Sequence, residues 1–112
     1  HYAGAFPTWL SPVQVKVIPI SEKVADYAKQ VTEKLDAAGV RVENDLRPEK
    51  MGYKIREAQL QKIPYMLVVG EKEAQAGTVS VRTRNGEDHG AMALDEFTAH
   101  IQKEIKERTN CL

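Results

Sequence analysis

Lys50, Lys54, Arg56 and Lys62 recur along one stretch, Leu46–Gly70 (LRPEKMGYKIREAQLQKIPYMLVVG), which also carries Arg47; Arg82 and Arg84 follow in an alternating segment. Cations grouped in this way can hold an anion. Nothing near them supplies catalysis: there is no GxGxxG, P-loop, GxSxG or HExxH motif. The serines and the single cysteine, Cys111, have no neighbouring histidine to act as a base, and His1, His89 and His100 are not at metal-ligand spacing. The pairs Glu71/Glu73 and Asp95/Glu96 read as loop and helix-start features. The chain by itself is therefore expected to be a binding module with no catalytic residue and no metal.

Lysines also line ordinary solvated helix faces, so the basic residues need a second argument. Glu73 supplies one. A carboxylate beside a basic patch is out of place in a pure phosphate clamp, but it can accept hydrogen bonds from the Watson–Crick edge of guanine or uracil, which single-stranded RNA loops expose. On chemistry alone Glu73 is assigned to a base donor edge and Arg82 to a base carbonyl or phosphate. Arg47, Lys54, Arg56 and Lys62 are assigned to the RNA backbone, with Lys50 and Arg84 in support. Arg56 reads equally well as a pairing residue inside the domain, and Arg82 and Arg84 as edge-strand charges that deter aggregation.

These residues must be positioned by one domain, since 112 residues suffice for a single core. Sixteen basic and sixteen acidic side chains cancel, so a polyanion site has to be a local patch. No apolar run is long enough to span a membrane and no signal segment opens the chain. One cysteine excludes an intrachain disulfide and fits a reducing compartment.

Residues 1–12 read as a connector carrying Phe6, Trp9 and Leu10. The alternation in Val13–Ile20 predicts a strand. Ser21 is the expected N-cap of a helix of about 17 residues with Val24, Tyr27, Ala28, Val31, Leu35 and Ala38 inward and Gly39 as its stop. Val40–Glu43 is a second strand, parallel to the first through a right-handed crossover. Pro48 suits the first turn of a helix over about Glu49–Gln61, with Met51, Ile55, Ala58 and either Leu60 or Ile63 inward and Lys50, Tyr53, Lys54 and Glu57 outward. The apolar run Ile63–Gly70 predicts a central strand. Glu71–Gly77 reads as a polar loop, Thr78–Arg84 as an antiparallel strand, 85–89 as a turn and Leu94–Arg108 as a last helix with Leu94, Phe97, Ile101 and Ile105 inward. The order βαβαββα predicts a three-layer α/β/α domain over 13–112 with a mostly parallel sheet. The charged segments Leu46–Lys50 and Glu71–Gly77 should share the carboxyl edge of that sheet.

The blocks FPTWLSPVQVKVIPIS (Phe6–Ser21), DLRPEKMGYKIREAQLQKIPYMLVVGEKE (Asp45–Glu73) and GTVSVRTR (Gly77–Arg84) together resemble the C-terminal anticodon-binding domain of threonyl-tRNA synthetases, over nearly the whole chain. The later blocks are shared with the related class II synthetases for proline, histidine and glycine; FPTWLSPVQV is the part specific to the threonine enzymes. REAQLQKIPY has a bacterial, Gram-positive look.

The resemblance implies a mixed sheet of five strands, the fifth at Gly90–Ala93, with three helices. It implies binding of the threonine tRNA anticodon stem-loop, whose second and third anticodon bases are G and U. Carried over by position, the family's anticodon-reading residues fall on Glu73, Arg82, Lys62 and Pro48. Pro48 stands where the family often has asparagine and lacks a side-chain hydrogen-bonding group. Lys62 replaces an arginine of some relatives, keeping the charge but losing bidentate geometry. The resemblance further implies a cytoplasmic, homodimeric parent ligase whose ATP, magnesium and zinc sites belong to a catalytic domain outside this chain. The piece itself would be a monomer without cofactors. Two rivals are a stand-alone protein-interaction module of the same fold and a small-ligand α/β domain, the latter disfavoured because no glycine-rich loop follows the first strand.

Overall fold

Val15, Val17 and Ile18 are fully buried in the first strand, β1 (Val15–Pro19), because both faces of this strand are covered. The computed structural model describes residues 13–46, 50–83 and 87–107. The expected connector over 1–12, as well as Arg47, Pro48, Arg84, Arg108 and Cys111, lies outside them. After β1 come helix α1 (Ala25–Ala37), strand β2 (Val42–Asn44), helix α2 (Met51–Leu60), strand β3 (Tyr65–Val69), helix α3 (Glu71–Ala76), strands β4 (Thr78–Thr83) and β5 (Asp88–Ala93), and helix α4 (Leu94–Glu107).

The five strands form one sheet in the order β2-β1-β3-β4-β5. β1 pairs in parallel with both β2 and β3, whereas β3–β4 and β4–β5 are antiparallel. The central position of β3 explains its continuous apolar sequence, all five residues being buried. Helices α1 and α4 pack Ala28, Val31, Leu35, Phe97 and Ile101 onto one face of the sheet. Ala58 of α2, with Ile63, Ile18 and Met66, closes a smaller core on the other face. The three-layer α/β/α class predicted from the sequence is the observed one.

Local differences have local causes. Ser21 is extended and makes no side-chain cap; a 3-10 turn, Glu22–Val24, intervenes before α1 begins. The other end of α1 matches expectation. Gly39 sits at φ +87°, its N–H donates to Asp36 O (3.0 Å) and that of Val40 to Leu35 O (3.0 Å). That pair of bonds satisfies the last carbonyls of a helix and needs a left-handed residue between them. The expected loop Glu71–Gly77 is instead the short helix α3, a fourth helix beyond the three expected. Its six residues are too few to show a period, and Gly77 (φ +71°) closes it. Leu60 is exposed and Ile63 is the residue that turns inward.

Candidate nucleic-acid interface

Both parallel crossovers return to the same end of the sheet, so β1, β2 and β3 all finish at one edge. Asp45 and Leu46 follow β2 there, Lys50 caps the start of α2, and α3 follows β3. Leu46 and Lys50, the described ends of the first charged segment, thus share the carboxyl edge with α3, separated from it by β1, which lies between β2 and β3.

Glu73 lies in the first turn of α3 and is half-buried. Its Oε1 is 3.8 Å from the point a Cβ on Gly70 would occupy, and that point is 2.8 Å from Ile20 Cδ1. On the other side stands Tyr27, whose hydroxyl donates to Thr78 O at 2.7 Å. Burial, and secondarily the Glu73 charge, raise the Tyr27 hydroxyl above its ordinary range, which keeps it a neutral donor. Tyr27 therefore ties the start of β4 to α1 and fixes the exit of the helix that carries Glu73.

Lys54 contradicts its assignment to the RNA backbone. It is 4% exposed and its Nζ donates to Asp45 O at 3.0 Å. The signal was in the spacing: positions 51, 54, 55 and 58 are one face of a 3.6-residue helix, so a lysine at 54 must point where Ile55 and Ala58 point. Lys54 is a clamp between α2 and the end of β2. Lys50, the N-cap residue of α2, and Arg56, within the helix, are exposed.

Lys62 and Arg82 are not at the edge that holds Glu73. Helix α2 runs the length of the sheet, about 15 Å for ten residues, and delivers Lys62 to the opposite end, just ahead of β3. Arg82 pairs with Met66, the second residue of β3, four residues along β4 from Thr78 and so about 13 Å from that end. It is about one-third exposed, lies 3.5 Å from Asp88, and its buried Nε has no hydrogen-bond partner among the described residues. The β4–β5 register slips between Val81 and Arg82, the kind of irregularity that re-aims side chains. Arg82, Met66 and Ser80 share the face that α2 covers, and Ala91 opposite Ser80 is exposed there, so this half of the face is open. No small ligand could bridge Glu73, Lys62 and Arg82 together. An extended one could.

Lys62 carries a signature that spacing does not show. Its φ is +63°, and the N–H groups of Lys62 and Ile63 close α2 onto Gln59 O and Ala58 O. Glycine is the residue ordinarily used at such a position. A lysine there costs about 1 kcal/mol of backbone strain. Lys62→Gly is therefore expected to hold or raise the midpoint of urea unfolding while weakening RNA binding; a loss of stability would show that the side chain is kept for the fold.

The Anticodon binding domain family model matches residues 14–104. The chain is 60% identical over 112 residues to a protein named threonine--tRNA ligase in Clostridium novyi (strain NT), which spans all of this chain and 18% of that protein. Identity to the protein of the same name in Clostridioides difficile (strain 630) is 57%, with the same coverage. The chain thus spans less than a fifth of the length of these relatives. Among solved structures, the RNA binding domain of threonyl-tRNA synthetase from Cryptosporidium parvum Iowa II superposes with TM-score 0.85 at 38% identity, covering 92% of this chain and 26% of that one. Histidyl-tRNA synthetase from Nostoc sp. PCC 7120 shares the fold with TM-score 0.77 at 24% identity, over 85% and 23%. A mixed five-stranded sheet, exposed cations at the start of α2 and within it, a carboxylate at the carboxyl edge and a family match over most of its length place this chain in the anticodon binding domain family.

Proposed function

We propose that this domain holds the anticodon loop of threonine tRNA, with Glu73 accepting hydrogen bonds from one anticodon base and Arg82 and Lys62 contacting the loop further along. The observation that carries the reading is the likeness to threonine--tRNA ligases from end to end of the chain. The geometry supports it: the assigned side chains are spread along the sheet and suit several nucleotides better than one small molecule. Lys50 and Arg56 position the phosphates, a role to which Arg47 and Arg84 are also assigned, and Pro48 is assigned to the anticodon. In this reading a parent ligase, homodimeric and cytoplasmic, attaches threonine with ATP, magnesium and zinc held outside this domain, and the domain by itself is a monomer.

Titration of the chain with threonine tRNA transcripts altered at the second or third anticodon base tests the reading. Affinity is expected to fall by about tenfold or more for at least one change, the order expected when a charge-assisted hydrogen bond is lost. Glu73→Ala should abolish discrimination at that base alone. Binding should weaken with salt with a log–log slope of about −0.7 per phosphate contacted. Equal affinity for all transcripts would sink base readout.

A further inference from the structure

Helix α3 carries Glu73 but cannot hold its own shape. Its six residues fall short of two turns, none of them is buried, and Gly70 at its start has no side chain to cap it. A helix this short and this shallow takes its geometry from whatever grips its ends. At its start that is the central strand, β3. At its exit the Gly77 N–H donates to Glu73 O, and the left-handed turn at Gly77 (φ +71°) leads straight into β4. Both carbonyls of this turn are held from other elements. Gly77 O accepts from the Leu94 N–H at the start of α4 (3.2 Å), and Thr78 O accepts from the Tyr27 hydroxyl of α1 (2.7 Å). The other contact from that side, Lys23 to Glu71 at 4.0 Å, is exposed at both ends and contributes little.

We propose that Tyr27 is a positioning residue for base readout: through Thr78 and Gly77 its hydroxyl sets the direction in which α3 presents the Glu73 carboxylate. The inference rests on the function proposed above and gives specificity to a residue of α1, outside those assigned to RNA. The Tyr27 ring packs against the main core, so it is anchored independently of the bond its hydroxyl makes. One oxygen atom thus joins a rigid part of the fold to a turn that is itself bonded to the Glu73 backbone. A charge-assisted hydrogen bond to a base edge weakens steeply once its angle slips. A small rotation of α3 is therefore enough to blunt discrimination while the phosphate contacts of α2 stay in place.

Tyr27→Phe in the 112-residue chain keeps the ring and removes the bond. Against the same set of transcripts it is expected to lower discrimination at the base read by Glu73 by about threefold or more. Affinity for transcripts already altered at that base should stay unchanged. With Glu73→Ala present, Tyr27→Phe should cause no further loss. Tyr65→Phe is the control: it removes a hydroxyl donor from the buried bond to Glu104, at the far end of β3 from α3. It should lower the midpoint of urea unfolding and keep full discrimination. Full discrimination in Tyr27→Phe, where Glu73→Ala has lost it, would overturn the positioning role and leave base reading standing. Equal losses in Tyr27→Phe and Tyr65→Phe would overturn it too, because discrimination would then follow stability alone. So would a further loss in the double variant, or discrimination that survives Glu73→Ala. Failure of the unsubstituted chain to distinguish the transcripts would overturn both readings.

Discussion

Lys54→Ala should lower the unfolding free energy by about 2–4 kcal/mol and leave the salt slope of RNA binding unchanged. Two losses add: the aliphatic stem packed beneath α2, and a hydrogen bond from a charged donor to the Asp45 carbonyl, worth about 1.5–3 kcal/mol in such settings. The Asp45 N–H is itself bonded to Val17 O at 2.9 Å, so the clamp joins α2 to the end of β2 and through it to β1. Lys54→Met should recover the packing part, because methionine fills a similar volume. Arg56→Ala should behave in the opposite way. Arg56 is exposed, so stability should stay within about 0.5 kcal/mol. Its salt slope should fall by about 0.7 if it meets a phosphate. Urea unfolding and salt-dependent titration of the three variants separate the roles. A reduced slope for Lys54→Met at unchanged stability would return Lys54 to the RNA-facing set.

Phe97→Ala should be more damaging still, about 3–5 kcal/mol, the usual range for a buried aromatic ring. Phe97 is fully buried and meets the Tyr65 ring edge-on, with centroids 5.5 Å apart, joining α4 to the first residue of the central strand. The same junction carries a buried polar contact: the Tyr65 hydroxyl donates to Glu104 Oε1 at 2.5 Å, with Glu104 only 2% exposed. Tyr65→Phe removes the donor and keeps the ring, so its cost should be smaller, about 1.5–3 kcal/mol. The two residues touch, and their effects should not add. Chemical denaturation measures each. A cost below about 1.5 kcal/mol for Phe97→Ala would mean that α4 is not docked as described. Because α4 lies on the sheet face away from α2, base discrimination well below the melting temperature should be unchanged in both variants.

The folding pattern was legible where periodicity runs long enough. Val15 to Ile18, the face of α1, the apolar run of β3 and the alternation of Val79, Val81 and Thr83 each carry their own secondary structure. Gly39 announced its left-handed turn because few other residues tolerate one. Six residues of EKEAQA carry no such period, and their helix forms between β3 and a left-handed Gly77. Lys54 departs from expectation for another reason: its charge suits a solvated face, but its spacing to Ile55 and Ala58 places it inward.

The residue types assigned to RNA reading, and the order of elements that carries them, follow from the sequence by itself, because hydrophobic period and charge are local properties. Arrangement is not local. The sheet order β2-β1-β3-β4-β5 puts Glu73 and Ile20 at one edge and carries Lys62 and Arg82 toward the other. It turns one lysine of the basic helix into a buried clamp, and it sets Gly70 close to both the exposed Ile20 and the Glu73 carboxylate, which are far apart in the chain. Such contacts exist only once β1 and β3 have paired, since strand register decides which side chains meet and neither segment encodes it alone.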